Sequence, residues 1–274
     1  MILKEIVSRK RVDVDIRTKQ TPLTDLESRI ADREPTKSLL KALGSTGVGV
    51  ITEIKRRSPT AGTFAADIDP VQRAQTYAAG GAIAISVLTD EPYFGGSHHD
   101  LQTTNRAVNI PIIQKDFVIN HYQIYEAAAY GADAVLLITG LSSHVDSNSE
   151  PSIDVLRHQI ELAEHLHLDA LVEIHTDTEL DEALCAGARI IGINNRNLQN
   201  FTTDIAVTEA LCKLIPKEIV VVSESGIHTA ADIDRAGAVG ADGVLVGEAL
   251  MTTPNPLEHL RILVAAGKRS CVDR

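Results

Sequence analysis

The sequence has no tryptophan and so few other aromatic residues that they make up only 3% of it. A folded core must therefore be built from Ala, Val, Ile and Leu. Its three cysteines, Cys185, Cys212 and Cys271, are odd in number and far apart. They supply neither a disulfide framework nor a zinc pattern, and they fit a reducing cytoplasm. No apolar run approaches the roughly 18 residues of a membrane span. The opening MILKEIVSRKR puts its apolar residues before its charges, the reverse of a signal peptide. Positive charge is also short, with 26 Lys and Arg against 37 Asp and Glu and a net charge of -11. That disfavours a nucleic-acid surface. An anionic ligand would need a few fixed cations inside a cleft, so the positions of Lys and Arg carry information. There is no GxGxxG and no Walker A motif, hence no support for a nucleotide cofactor.

What the chain does have is repetition. Eight short apolar runs rich in Val and Ile recur: VGVITEI (48–54), AIAISVL (82–88), IPIIQKD (110–116), DAVLLI (133–138), DALVEI (169–174), RIIGIN (189–194), EIVVVSE (218–224) and DGVLVG (242–247). Continuous apolar runs of this length read as strands covered on both faces. Between them lie helical patterns such as DPVQRAQTYAAG (69–80), DTELDEALCAG (177–187) and TAADIDRAGAVG (229–240), opening on Asp or Thr and closing on Gly. A small turn before a strand repeats in AGGAIAISV, YGADAVLLI, AGARIIGIN and VGADGVLVG. Eight such βα units predict one (β/α)8 TIM barrel, residues 46–268, in a single domain spanning 1–274. Residues 1–45 carry helical patterns of their own and would form an N-terminal helical extension across one barrel end.

In such a barrel the site lies at the C-terminal ends of the strands. Charged residues collect there. The first run ends in EIKRRSP, where Glu53 and Lys55 are two residues apart and so share a strand face. The third ends in Lys115, the fifth in Glu173, and the sixth in Asn194 with Arg196 beyond. The seventh ends in Glu224 and Ser225, the eighth in Gly247 and Glu248. Isolated buried charges are rare, and stability alone is usually served as well by apolar packing. Gly226 and Gly247 end the last two strands in turns where backbone N–H groups can meet an anion, the usual phosphate position of this fold. Arg196, which can hold a carboxylate bidentately, marks a second anion pocket with Ser58. Lys115 and Glu173 are candidates for proton transfer. Arg56 and Arg57 read as loop charges. His98-His99-Asp100 resembles a metal cluster, but it follows GGS and is better read as a helix start. His175 lies two residues past Glu173 and lacks a second His at ligand spacing, so no metal is expected.

EIKRRSPTAG, SVLTDEPYFGGS, IIQKDF, ALVEIHT, IGINNRNL, VSESGI and GVLVGEALM, in this order, resemble the motif set of the indole-3-glycerol phosphate synthase family over about residues 1 to 265. The resemblance implies a cofactor-independent carboxy-lyase of tryptophan biosynthesis. It would close the ring of 1-(2-carboxyphenylamino)-1-deoxyribulose 5-phosphate and release CO2 and water. It implies Lys115 as general acid for ring closure and Glu173 as general base or stabiliser of positive charge. Lys55 would grip the substrate's anionic groups and donate a proton in dehydration, with Glu53 as its base partner; Glu53 and Glu173 both stand as candidates for the base of that step. Asn194, Arg196 and Ser58 would orient the substrate. Ser225, Gly226, Gly247 and the backbone of Glu248 would line the phosphate side, with Glu224 beside them. Leu88, Phe94, Phe117 and Leu137 would form the slot for the aromatic ring. The chain departs from the family at Ala61, where a lysine is frequent, and the stretch after the fourth run, 139–152, is long and polar. The alternatives are another phosphosugar isomerase or aldolase barrel, or a non-catalytic phosphosugar-binding barrel. Monomer and homodimer are both compatible with the sequence.

Overall fold

The computed structural model describes residues 2–44, 47–59, 62–64, 67–144, 152–197 and 201–270. Ala61 and half of the polar stretch after the fourth run, residues 145–151, lie outside the described residues. The eight apolar runs form eight parallel strands: β1 (Gly49–Ile54), β2 (Ala84–Leu88), β3 (Ile112–Lys115), β4 (Ala134–Ile138), β5 (Asp169–Ile174), β6 (Ile190–Asn194), β7 (Val220–Glu224) and β8 (Gly243–Val246). They close into a barrel in which β1 pairs with both β2 and β8. This is the expected (β/α)8 architecture.

Strand alternation divides the apolar residues into two cores. Ile51, Ala84, Ile113, Ala134, Leu136, Leu171, Ile190 and Val222 point into the barrel. Their neighbours Val50, Ile85, Ile112, Val135, Val172, Ile191 and Val221 point outward to the helices. Branched aliphatic side chains fill both layers, as the scarcity of aromatics requires.

The helices that flank the barrel begin and end on chemistry visible in the sequence. α4 (Pro70–Gly80) is capped by Asp69, which accepts from Val71 and Gln72 N–H, and ends on Gly81 in the left-handed region. α9 (Asp177–Ala186) is capped by Thr176, and α11 (Ala230–Ala238) opens with a capping box between Thr229 and Asp232. α6 (His98–Ala107) starts on the Ser97 cap. There His98 stacks on Tyr130 at 4.7 Å, and Asp100 pairs with Arg56, which gives this cluster a structural role.

The N-terminal segment differs from its expected place across one end. It reaches both ends. α1 (Ile2–Gln20) leans on the C-terminal rim, where Lys10 Nζ lies 2.7 Å from both Asp90 and Asp116. α2 (Leu23–Ala31) packs beside α7 (Tyr122–Ala129) through Leu26, Tyr122 and Ala129. α3 (Leu39–Leu43) then closes the N-terminal mouth, with Leu39 and Leu43 in contact with the barrel interior. Asp169, at the start of β5, accepts hydrogen bonds from Ser38 Oγ and Leu40 N–H at 3.0 Å each. The Lys10 ion pairs, together with the buried Ile6, Val7 and Val14, keep the otherwise polar α1 in position.

Candidate active site

A cleft opens at the C-terminal ends of the strands. Its wall has two sides. Leu88, Phe94, Phe117, Leu136 and Ile138 make an apolar side on the β2–β4 segment of the rim. Phe94 and Phe117 stand with ring centroids 6.1 Å apart. Facing them are Glu53, Lys55, Lys115, Glu173, Asn194 and Glu224, with Arg196 and the turns after β7 and β8 nearby.

Of the residues expected at the site, all but two line this cleft. Leu137 is the first exception. Parallel partners in register point the same way, and Ile138 pairs with Glu173 while Leu137 pairs with Val172. Leu137 therefore packs outward against the helices, and Leu136 and Ile138 take the expected slot. Ser58 is the second. It is buried in a two-stranded hairpin, Arg57–Ser58 with Gly62–Thr63, beside the cleft rather than in its wall. Arg56 and Arg57 are also more than loop charges. Arg56 binds both oxygens of Asp100 and the carbonyl of Gly95, and Arg57 donates to the carbonyls of Glu91 and Pro92. Together they stitch the loop after β1 to the loop after β2, which carries Phe94.

The charges meet in the middle of the barrel mouth. Lys55 Nζ lies 2.5 Å from Glu53 Oε1. Lys115 Nζ donates to Glu173 Oε2 at 3.3 Å and to Glu224 Oε2 at 3.1 Å. All three carboxylates are buried. Burial alone would strip Lys115 of its proton, but Glu224, Glu173 and Glu53 outweigh it and hold the ammonium well above its usual range. The lysine is thus held in its charged form despite burial, because its neighbours are anions. Burial raises Glu173 and Glu53 in turn, and the lysines overcome that: Lys115 with His175 pulls Glu173 below its usual value, and Lys55 with Lys115 does so for Glu53. Glu224 goes the other way. Burial lifts it, Lys115 opposes, the charge on Glu173 adds to the lift, and its carboxyl rises to about 7.

Two glycines make this arrangement possible. A Cβ on Gly192 of β6 would lie 2.0 Å from Glu224 Oε1, and one on Gly247 would lie 2.2 Å from Glu53 Oε1. Neither glycine has positive φ. Both are needed for space, so Gly247 serves the ion pair as well as the turn after β8. Glu224 Oε1 is buried and has no hydrogen-bond partner among the described residues.

The turn after β7 is unusual. Ser225 and Gly226 both have positive φ, 66° and 78°. Asn195 Nδ2 anchors it by donating to Ser223 Oγ and to the Ser225 carbonyl, each at 3.0 Å. Arg196 is held in an isolated bridge with Thr203, and its guanidinium lies 3.4 Å from Glu248 Oε2. The carboxylate of Glu248 is thereby drawn to Arg196.

Sequence reading did not pick out Lys10, Asp116, Leu136, Ile138, Ile227, His228 or Leu245. Leu136 and Ile138 follow from strand parity once Glu173 is taken as inward. Asp116 follows Lys115 directly in QKDF, but nothing local signals that Lys10, near the start of the chain, is its partner.

The sequence comparisons agree with this geometry. A family model described as indole-3-glycerol phosphate synthase matches residues 3–263. Indole-3-glycerol phosphate synthase 1 of Streptomyces coelicolor is 43% identical over 267 residues, covering 97% of this chain and 96% of the relative. The indole-3-glycerol phosphate synthase of Carboxydothermus hydrogenoformans is 42% identical over 273 residues, covering 97% and 100%. Among solved structures, thiamine phosphate pyrophosphorylase from Pyrococcus furiosus matches with a TM-score of 0.59 at 16% identity, over 85% of this chain and 99% of that one, a likeness of fold alone. The family match spans nearly the whole chain, and the chain belongs to the indole-3-glycerol phosphate synthase family.

Proposed function

We propose that this barrel mouth converts 1-(2-carboxyphenylamino)-1-deoxyribulose 5-phosphate into indole-3-glycerol phosphate by general acid–base chemistry, in the cytoplasm and without a cofactor. The observation that carries the reading is Lys115 held between Glu173 and Glu224 at the base of a two-sided cleft. The substrate has the same two-sidedness: an aromatic ring at one end and a phosphosugar at the other. Its ring fits the apolar side made by Leu88, Phe94, Phe117, Leu136 and Ile138. Its phosphate fits the backbone of Ser225, Gly226, Gly247 and Glu248.

Lys115, kept fully charged by its carboxylates, protonates the ketone oxygen as the ring carbon attacks. A C–C bond forms and the C=O π bond breaks. The C–CO2 bond then breaks and its electron pair restores the aromatic ring. Lys55 protonates the hydroxyl, which leaves as water, and Glu53 beside it takes the proton lost from the neighbouring carbon. Glu173, with Asn194, stabilises positive charge on the nitrogen. The substrate carboxylate leaves as neutral CO2 and the ketone oxygen leaves as water, so the balance requires one proton from solvent per turnover. Glu224, whose carboxyl lies at about 7, is suited to returning that proton to Lys115. Arg196 orients the substrate by exchanging Glu248 for the benzoate carboxylate, and Ser58 supports the loop over it. The N-terminal segment and the barrel act as one domain through Lys10.

The test is fluorescence-detected indole formation by the purified chain with this substrate and no added cofactor. Folded protein that gives no signal contradicts the reading. A borohydride-trapped adduct with Lys115 or Lys55 would favour an aldolase-type barrel instead.

A further inference from the structure

His175, just past the end of β5, stands between two carboxylates. Its Nε2 lies 3.6 Å from Glu173 Oε1, and its Nδ1 lies 3.3 Å from Glu179 Oε2. The same Glu179 oxygen accepts the backbone N–H of His175 at 2.5 Å, so α9 fixes the far side of the ring. Lys115 occupies the other oxygen of Glu173. The ring itself is mostly buried and does not line the cleft. Its Nε2 is buried and makes no hydrogen bond among the described residues, which leaves its proton free to face Glu173.

We propose that His175 is a positioning residue for the reaction: clamped as an imidazolium by Glu179, it fixes Glu173 from behind and keeps it ionised. The inference rests on the role of Glu173 proposed above. An ordinary packing histidine at the start of α9 would need only the Glu179 contact. Here the second nitrogen is aimed at a site carboxylate, and the line Glu179–His175–Glu173–Lys115 runs from the half-exposed helix start into the site. The groups that face the ring are Glu173 from β5, Glu179 from α9 and Glu224 from β7. Burial lowers the basicity of the ring, but Glu179, Glu173 and Glu224 outweigh it, and the net shift is upward from 6.5. All three neighbours favour the charged form.

An opposite charge within about 4–6 Å lowers a carboxyl pKa by about 1–3 units. Removing the imidazolium should let the Glu173–Glu224 pair take up protons at higher pH. His175→Gln should thus move the lower limb of the kcat profile up by about one pH unit or more, a loss of about tenfold in kcat below that limb. KM should change little, because the ring lies outside the cleft. Glu179→Gln should move the limb the same way, and His175→Gln/Glu179→Gln should be no worse than His175→Gln. In the wild type, an NMR titration of the His175 ring should give a pKa that falls in Glu173→Gln. A folded His175→Gln with the wild-type profile overturns the proposal. If His175→Gln does not fold, a wild-type profile in Glu179→Gln overturns it equally. Glu173→Gln separates the two claims: full activity there removes the assigned role of Glu173, whereas an inactive Glu173→Gln beside an unshifted His175→Gln removes only that of His175.

Discussion

Lys10 of the N-terminal helix and Asp116, the residue after Lys115, form a buried ion pair at 2.7 Å. Lys10 binds Asp90 at the same distance, and Asp90 caps α5 (Glu91–Phe94), which carries Phe94. One side chain from outside the barrel thus ties together the loops bearing Lys115, Phe117 and Phe94. Asp116 is further fixed by Thr89 Oγ1, which donates at 2.9 Å, and by the Phe117 N–H at 2.7 Å.

Lys10→Met should therefore destabilise the protein by about 3–5 kcal/mol, since it leaves two buried carboxylates without their cation. Burial works against the Lys10 ammonium, but Asp116 and Asp90 raise it overall; burial likewise works against ionised Asp116, but Lys10 lowers it overall. The Lys10 contribution is complete below its unfolded value and is lost as pH rises through the higher folded one. That of Asp116 is present above its unfolded value and is lost as pH falls through the lower folded one. The urea-unfolding difference between wild type and variant should persist from about pH 5 to pH 9 and widen as pH rises, because burial raises the Asp116 carboxyl once Lys10 is gone. A difference that vanishes within that range would contradict the pairing.

The two space-giving glycines offer a second check. Gly192→Ala should push Glu224 off Lys115, and Gly247→Ala should push Glu53 away from its place beside Lys55. A displacement of about 1 Å at the reacting groups costs on the order of 10²-fold. Turnover should fall by about that factor in both variants. Wild-type turnover in either would show that its carboxylate does not need that position.

Glu224 sets a trade between stability and chemistry. With its folded pKa raised to about 7 from 4.5, the folded state binds more protons than the unfolded chain between those values. Stability must then fall as pH rises through that window. Glu224→Gln removes this dependence. Its Tm relative to wild type should become more favourable from pH 5 to pH 8, while turnover drops. A constant Tm difference would show that Glu224 is not a raised carboxyl.

Arg196→Ala should raise KM by about tenfold or more, the scale of a lost charged hydrogen bond, with kcat largely kept. Steady-state kinetics decide the point. A fall in kcat with unchanged KM would contradict a carboxylate-orienting role.

Much of this site could be read from the chain because strand ends are short-range features. Lys115, Glu173, Asn194 and Glu224 each close an apolar run, and fold geometry carries them to one rim. Leu137 failed for a reason of parity: in LLI every residue is apolar, so composition cannot tell inside from outside, and only the register with Glu173 decides. Ser58 stands beside the cleft wall because the loop after β1 folds back into a hairpin, which the sequence does not signal. Lys10 and Arg56 are partnered by residues far along the chain, Asp116 and Asp100, and an ion pair of that kind leaves no periodic trace. The sense of the Lys115 shift was also hidden, since it depends on how many carboxylates converge on the ammonium.

The most direct test is the turnover of Lys115→Ala, alongside Lys115→Met as a variant that keeps the apolar stem, with folding checked by circular dichroism. General acid catalysis by Lys115 predicts a loss of about 10²–10⁴-fold in kcat with substrate binding still measurable. Turnover within a few-fold of wild type would contradict the account.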